Sequence, residues 1–317
     1  MFCLKEENKN GFDTIALIDN STDTSVEIIP ACGAMLHAFI TKSNSGVINI
    51  IDSYTNKAAF DAEAESKGYK GLKLSPFPCR IQNASYIFNN KQYNFSKNLT
   101  KGSAIHGLLY KKPFAVSSKY ADEHEARITL FYQYPGDDAG YPFTYNCEVT
   151  YCLKKNRNLT VTTTITNNGK SALPIADGWH PYFTFHKKVD ELELQFNSTS
   201  MLEFANLIPT GNTIETKAFL KAVIIGNKEI DNSFVLDFSL PQPMCILRDA
   251  VSGWQLEISP ERSYPYLQIY IPPHRNSIAI ENLSAPPDAF NNKTGLIELM
   301  PGVNTAFVTT YCLRKVD

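Results

Sequence analysis

The chain has 317 residues, of which 43% are apolar, 20% charged and 12% aromatic, with 30 Lys and Arg against 32 Asp and Glu for a net charge of -2. That length buries a sizeable core and suits either two ordinary domains or one large all-β or barrel domain. The balanced charge leaves no basic stripe to neutralise phosphates, and no stretch approaches the roughly 18 apolar residues of a membrane span, so nucleic acid and membrane are excluded as expected partners.

At the N-terminus, Lys5, Glu6, Glu7 and Lys9 interrupt the first ten residues and no apolar h-region follows, so no secretory signal is expected. Cys3, Cys32, Cys79, Cys147, Cys152, Cys245 and Cys312 are an odd, scattered set with neither a C-x-x-C pair nor metal-ligand spacing. They predict free thiols in a reducing cytoplasm. Residues 57–66, rich in Ala and Glu, are read as a short helix or part of a loop.

Beyond them, period-two alternation predicts strands from end to end. Tyr86 and Phe88, the pair Asn89-Asn90, then Tyr93 and Phe95 read as a hairpin with aromatics paired across it. Residues 127–134, 148–153 and 160–166 alternate in the same way, the last stopping at the turn signal Asn167-Asn168-Gly169. Further strands are expected over 191–196, 255–258, 266–271, 277–281 and 306–312. Without a linker-like interruption, repeat, P-loop or dinucleotide-binding glycine pattern, the expectation is an all-β chain: one large two-sheet sandwich domain over residues 1–317.

Four segments carry side chains suited to chemistry. In Asp177-Gly178-Trp179-His180-Pro181-Tyr182-Phe183 a histidine is held among aromatics and a proline, where it is either a core histidine bonded to a carbonyl or a group tuned for proton transfer. In residues 278–290 an apolar strand ends on Glu281 before a proline-rich loop; the carboxylate is either a rim salt bridge or a base directed into a cleft. Arg80 follows the stiff turn Pro76-Phe77-Pro78-Cys79, as an exposed ion pair or as a fork donating to vicinal hydroxyls. His106 precedes Gly107, in a turn or where a ligand approaches closely.

Taken in this order along an all-β chain, these segments resemble the aldose 1-epimerase (galactose mutarotase-like) family. The likeness extends through residues 134–143 to Leu299-Met300-Pro301-Gly302 and is weakest over the first 70 residues. It implies a large β-sandwich whose concave face holds a sugar, with His180 as general acid, Glu281 as general base, and Arg80 and His106 binding substrate. Asp231, in Glu229-Ile230-Asp231-Asn232-Ser233-Phe234, resembles a further binding aspartate. Trp179 either stacks on the sugar or packs in the core, the second being favoured.

The implied reaction needs this pair independently, because opening a pyranose takes a proton from the anomeric hydroxyl while giving one to the ring oxygen. Neither a metal nor an organic cofactor has a task in it. Leu108-Leu109-Tyr110 after His106-Gly107, and Asn282 and Ser284 after the glutamate, depart from the galactose-specific branch and leave the sugar open between galactose, glucose and others. A hexose 6-phosphate would need extra cations, for which Lys73, Arg248, Arg262 and Arg275 are candidates. A non-catalytic carbohydrate-binding protein would not need a matched acid and base, and a glycoside hydrolase would need two carboxylates where one compelling segment is found.

Overall fold

The computed structural model describes residues 1–43 and 46–316, mostly as antiparallel strands. Five strands from Phe2–Lys9 to Gly46–Asn49 pair in chain order as a meander. A nine-stranded sheet runs, in spatial order, Ala115–Ala121, Glu125–Tyr134, Tyr145–Lys154, Asn158–Asn167, Asn304–Lys315, Trp254–Pro260, Cys245–Asp249, Glu193–Phe196 and Val223–Ile224. An eight-stranded sheet runs Ile208–Glu215, Ser200–Ala205, Asp231–Val235, Tyr266–Tyr270, Ile278–Leu283, Gly178–Trp179 and Lys73–Leu74, with Tyr182–Phe183 also pairing to Ile278–Leu283.

The strands named from alternation form, the one expected over 191–196 starting only at Glu193, and the N-terminal meander and strands such as Ser200–Ala205 and Cys245–Asp249 add to them. Asn158–Asn167 alternates buried and half-buried residues along its whole length, as a strand with one core face must. The two large sheets meet through their inner faces: Phe183 and Tyr311 rings lie 5.7 Å apart, and Trp179 and Tyr151 6.0 Å apart. Ile278–Leu283 is buried at every position, so both of its faces are covered.

Local chemistry explains the turns. Asn89 and Asn90 adopt φ of 49° and 59°, the left-handed pair a two-residue hairpin requires, and Tyr86 and Tyr93 stack across it at 5.2 Å. Only Lys57–Glu63 of the expected 57–66 stretch is helical, capped by Asn56 Oδ1 accepting from the Ala59 amide. A second short helix, Ala289–Asn292, stands where the sequence predicts loop. All seven cysteines are free thiols. Among the described residues, no helix is long and apolar enough to cross a membrane.

Candidate active site

Strand register builds the site. Gly178 pairs with Leu283 and Tyr182 with Ala279, so the same antiparallel register, continued through Pro181, sets His180 opposite Glu281. On the other side of this strand Gln268 faces Glu281, and Ser233 faces Gln268 in turn. The next row on the same face aligns Asp231, Tyr270 and Ala279. Side chains two apart share a face, which is how separate segments converge on one wall.

A cavity of about 270 Å³ opens on this wall. His180, Glu281, Arg80, His106 and Asp231 all line it, together with Glu65, Gly68, Tyr69, Tyr182, Gln268 and Tyr270. His180 Nε2 lies 3.5 Å from Glu281 Oε1, and both side chains are almost wholly withdrawn from solvent. The His180 ring stacks on Tyr182 at 5.2 Å, with planes 5° apart, and meets the His106 ring edge-on at 5.0 Å. Among the described residues, His180 Nδ1, His106 Nδ1 and Glu281 Oε2 have no hydrogen-bond partner.

Arg80 and His106 arrive together because Arg80–Ile81 pairs with Ser103–Ile105, and the His106 amide donates to the Cys79 carbonyl at 2.8 Å. The Asp288 amide donates to the Arg80 carbonyl, and Asp288 Oδ1 accepts from the Gln82 amide, so the proline-rich loop after Glu281 braces the arginine strand. Asp231 Oδ1 accepts from Gln268 Nε2 at 2.9 Å, while Gln268 Oε1 accepts from Ser233 Oγ.

Burial dominates the electrostatics and opposes charge on both members of the central pair. It holds His180 down to about 3, and it drives Glu281 well above the carboxylate range, with Asp231 adding to the rise. Burial, then His180 and Arg80, keep His106 well below its ordinary value. Asp231 is raised by burial against the opposing pull of Arg80 and Gln268. The central pair therefore favours a neutral imidazole beside a neutral carboxyl, the same single proton as the expected imidazolium–carboxylate but on the other partner.

Trp179 does not reach the cavity. Its neighbour His180 points to the sugar-sized space, so alternation turns the indole inward, where it packs on Tyr151 and carries the Lys73 ammonium 4.3 Å over its ring. Lys73 is itself fully buried against Asp177, with Nζ to Oδ1 at 2.5 Å. Arg275 pairs with Asp190, Arg248 approaches Glu193 at 3.9 Å, and Arg262 donates to the Phe238 carbonyl. None of these four cations lines the cavity.

Gly107 serves backbone contact: it takes φ of 70°, and a Cβ there would fall 2.2 Å from the Ser75 carbonyl oxygen. Asn282 points to the opposing sheet and donates to Tyr311 Oη, and Ser284 Oγ accepts from the Asp177 amide, so these two departures bear on packing behind the site. The single carboxylate segment apparent in the sequence understates the cavity, which also holds Asp231 and Glu65. Glu65 Oε1 is held by Lys111 Nζ and Tyr110 Oη. Glu65, Gly68 and Tyr69 follow the short helix where no motif draws the eye; Gln268, a polar residue buried on an apolar strand, was the one available signal for the others. Among the described residues, no group of three or more His, Cys, Asp or Glu is arranged to hold a metal ion.

The fold is that of a mutarotase-like β-sandwich. Residues 14–312 match the aldose 1-epimerase family, and the chain belongs to it. The chain is 29% identical over 259 residues to the uncharacterized protein YihR of Escherichia coli, covering 77% of this chain and 80% of that one. It superposes on a galactose mutarotase-like protein from Clostridium acetobutylicum with a TM-score of 0.89, at 18% identity and 99% of each chain. Against galactose 1-epimerase from Lactobacillus acidophilus the TM-score is 0.82, at 18% identity, over 100% of this chain and 99% of that one. These likenesses establish the all-β sandwich of the galactose mutarotase type.

Proposed function

We propose that this protein interconverts the α and β anomers of a free aldohexose, with His180 and Glu281 moving the protons. The observation that carries the reading is the 3.5 Å approach of His180 Nε2 to Glu281 Oε1 on the wall of a sugar-sized cavity. The pair holds one proton between an acid and a base that differ by a single proton transfer. Substrate hydroxyls entering the cavity solvate the charges that burial disfavours, so the imidazolium–carboxylate form becomes available when sugar binds.

Glu281 then takes the proton of the anomeric hydroxyl while His180 delivers one to the ring oxygen, and the bond between the anomeric carbon and that oxygen breaks. The open-chain aldehyde rotates about the bond between its first two carbons. It closes on its other face, with the proton returned from Glu281 to the new anomeric hydroxyl and His180 reprotonated from the closing hydroxyl. Arg80, His106 and Asp231 hold the hydroxyls, and positioned acid–base help of this kind contributes about 10²- to 10⁴-fold.

A neutral hexose suits the cavity because Arg80 is set against Asp231, Glu65 is paired with Lys111 and burial keeps Glu281 neutral, which leaves no spare cation for an anion. That balance disfavours a sugar phosphate inside it. Asp231 adds a second buried carboxyl, as a glycosidase would use, yet it is engaged by Gln268 and drawn toward Arg80, while Glu281 faces an imidazole. The free thiols fit a cytoplasmic setting.

Polarimetry of freshly dissolved α-D-glucose and α-D-galactose tests the reading. Wild type accelerates the decay without creating new reducing ends, and His180→Asn and Glu281→Gln each lose at least about a hundredfold of the acceleration. No acceleration of either sugar would refute it.

A further inference from the structure

Beside the catalytic cavity lies a second and larger cleft, about 1270 Å³ in volume. The two share Gly68, Tyr182 and Tyr270 in their linings, so a ligand leaving the first over the two tyrosines enters the second. Four lysines, Lys67, Lys70, Lys187 and Lys188, line the cleft against a single carboxylate, Asp52. This is a concentration of one sign in a chain whose net charge is -2.

The ion pairs do not cancel it. Lys70 is paired with Asp52 at 2.7 Å, and Asp52 also accepts from Ser277 Oγ. Lys187 is paired with Asp249 at 3.0 Å. Lys188 donates to the His274 carbonyl and Asn276 Oδ1, both neutral, and among the described residues neither Lys188 nor Lys67 has a carboxylate within 4.0 Å. Burial, and then the nearby Lys70, depress His274; Asp52 opposes them, and Lys188 and Lys67 push down as well, so three of the four lysines act on that wall against one carboxylate.

We propose that this cleft receives the acidic second residue of an oligosaccharide whose neutral reducing-end sugar sits between His180 and Glu281. The inference rests on the mutarotase reading and names its substrate class. Size calls for more than one sugar, since the cleft has several times the volume of the catalytic cavity. At the shared rim Tyr182 is buried against His180, while the half-buried Tyr270 offers a ring to the apolar face of a pyranose. Charge divides the ligand: in the catalytic cavity Arg80 acts on Asp231, Glu65 is paired with Lys111 and burial keeps Glu281 neutral, whereas the cleft offers two ammonium groups without a carboxylate partner, so an acid is attracted to the cleft.

The experiment compares glucuronosyl-β-1,4-glucose with cellobiose, which has the same reducing end, and glucose with glucuronic acid, reading anomer exchange by proton NMR in low salt. Wild type should exchange the acidic disaccharide with a kcat/KM about five- to tenfold above cellobiose. Lys67→Gln combined with Lys188→Gln should abolish that margin and leave glucose unchanged. Calorimetric titration of the two disaccharides should give the same preference in affinity, which tests the cleft without turnover.

Equal exchange and equal affinity for the two disaccharides, or a preference untouched by the lysine changes, would overturn the proposal while leaving the mutarotase reading intact if glucose is still exchanged. A lysine-dependent gain already present for glucuronic acid would also overturn it, by placing the acid on the reacting sugar. Inorganic phosphate should compete with the acidic disaccharide and leave glucose exchange alone; a phosphate effect on glucose exchange would make the cleft an effector site instead. Failure to exchange any sugar, with the acidic preference in affinity retained, would sink the mutarotase reading and keep the cleft.

Discussion

Asp177 and Ser284 hold each other by two hydrogen bonds of 2.8 Å, the Ser284 amide donating to the Asp177 carbonyl and the Asp177 amide to Ser284 Oγ. Asp177 stands three residues before His180 and Ser284 three after Glu281, so this clasp closes the antiparallel pair on which His180 and Glu281 sit. Behind it, Asp177 Oδ1 accepts from Lys73 Nζ and from Tyr264 Oη at 2.7 Å.

Lys73→Met should therefore cost about 3–5 kcal/mol in denaturant unfolding, because it strands the Asp177 charge in a fully buried place. Lys73→Met with Asp177→Leu should cost less than the lysine change alone, since no charge is then left unpaired. A cost for Lys73→Met below about 1 kcal/mol would mean that the pair is neutral or solvated.

The central pair makes a signed prediction about pH. The reference values are 6.5 for histidine and 4.5 for glutamate, with His180 held down to about 3 and Glu281 raised well above. From pH 4.5 up to 6.5, for as long as the raised Glu281 keeps its proton in the native state, the unfolded pair binds one proton, on the histidine, and the native pair also binds one, on the glutamate, so their contributions to the pH slope cancel. Glu281→Gln leaves only the depressed histidine, and its stability relative to wild type should fall as pH drops below 6.5. His180→Asn leaves only the raised carboxyl, and its relative stability should fall as pH rises above 4.5. Each slope is about 1.4 kcal/mol per pH unit at most, measurable by urea unfolding across that window. Parallel curves for all three proteins would refute the assigned shifts.

Arg80 donates to no other side chain among the described residues, yet it pulls down on Asp231 and on His106. Arg80→Met should raise KM about 10- to 100-fold and change kcat much less, as expected of a group binding substrate and transition state alike. Arg80→Lys should recover only part, since an ammonium cannot reproduce the fork. Steady-state polarimetry separates the two parameters.

Gly68 sets the position of Tyr182. A Cβ at this glycine would fall 2.4 Å from Tyr182 Oη, on a backbone with φ of 87°. Gly68→Ala should displace the tyrosine from its stack on His180, lowering kcat about tenfold and destabilising the fold by roughly 1 kcal/mol. Unchanged kcat in a folded variant would show that the stack plays no part in placing the imidazole.

Sequence alone determined the all-β class and many of the strands, because alternation of buried and exposed side chains is written residue by residue, as along Asn158–Asn167. It also singled out the segments of His180 and Glu281, which the structure brings to one cavity: a histidine among aromatics and a carboxylate in an apolar strand are local anomalies that need no partner to be noticed, although the strand runs on past Glu281 to Leu283. Tertiary structure alone decided which way each side chain points and what it meets. Register and pleat turned His180 and Glu281 to the cavity but Trp179, Asn282 and Lys73 to the core, although all lie in or beside the same segments. They also brought Glu65, Gln268 and Tyr270 to the site from stretches with no motif, and gathered scattered lysines beside it. Charge balance along a chain is a sum, whereas binding depends on where the charges converge, and only the folded sheet fixes that.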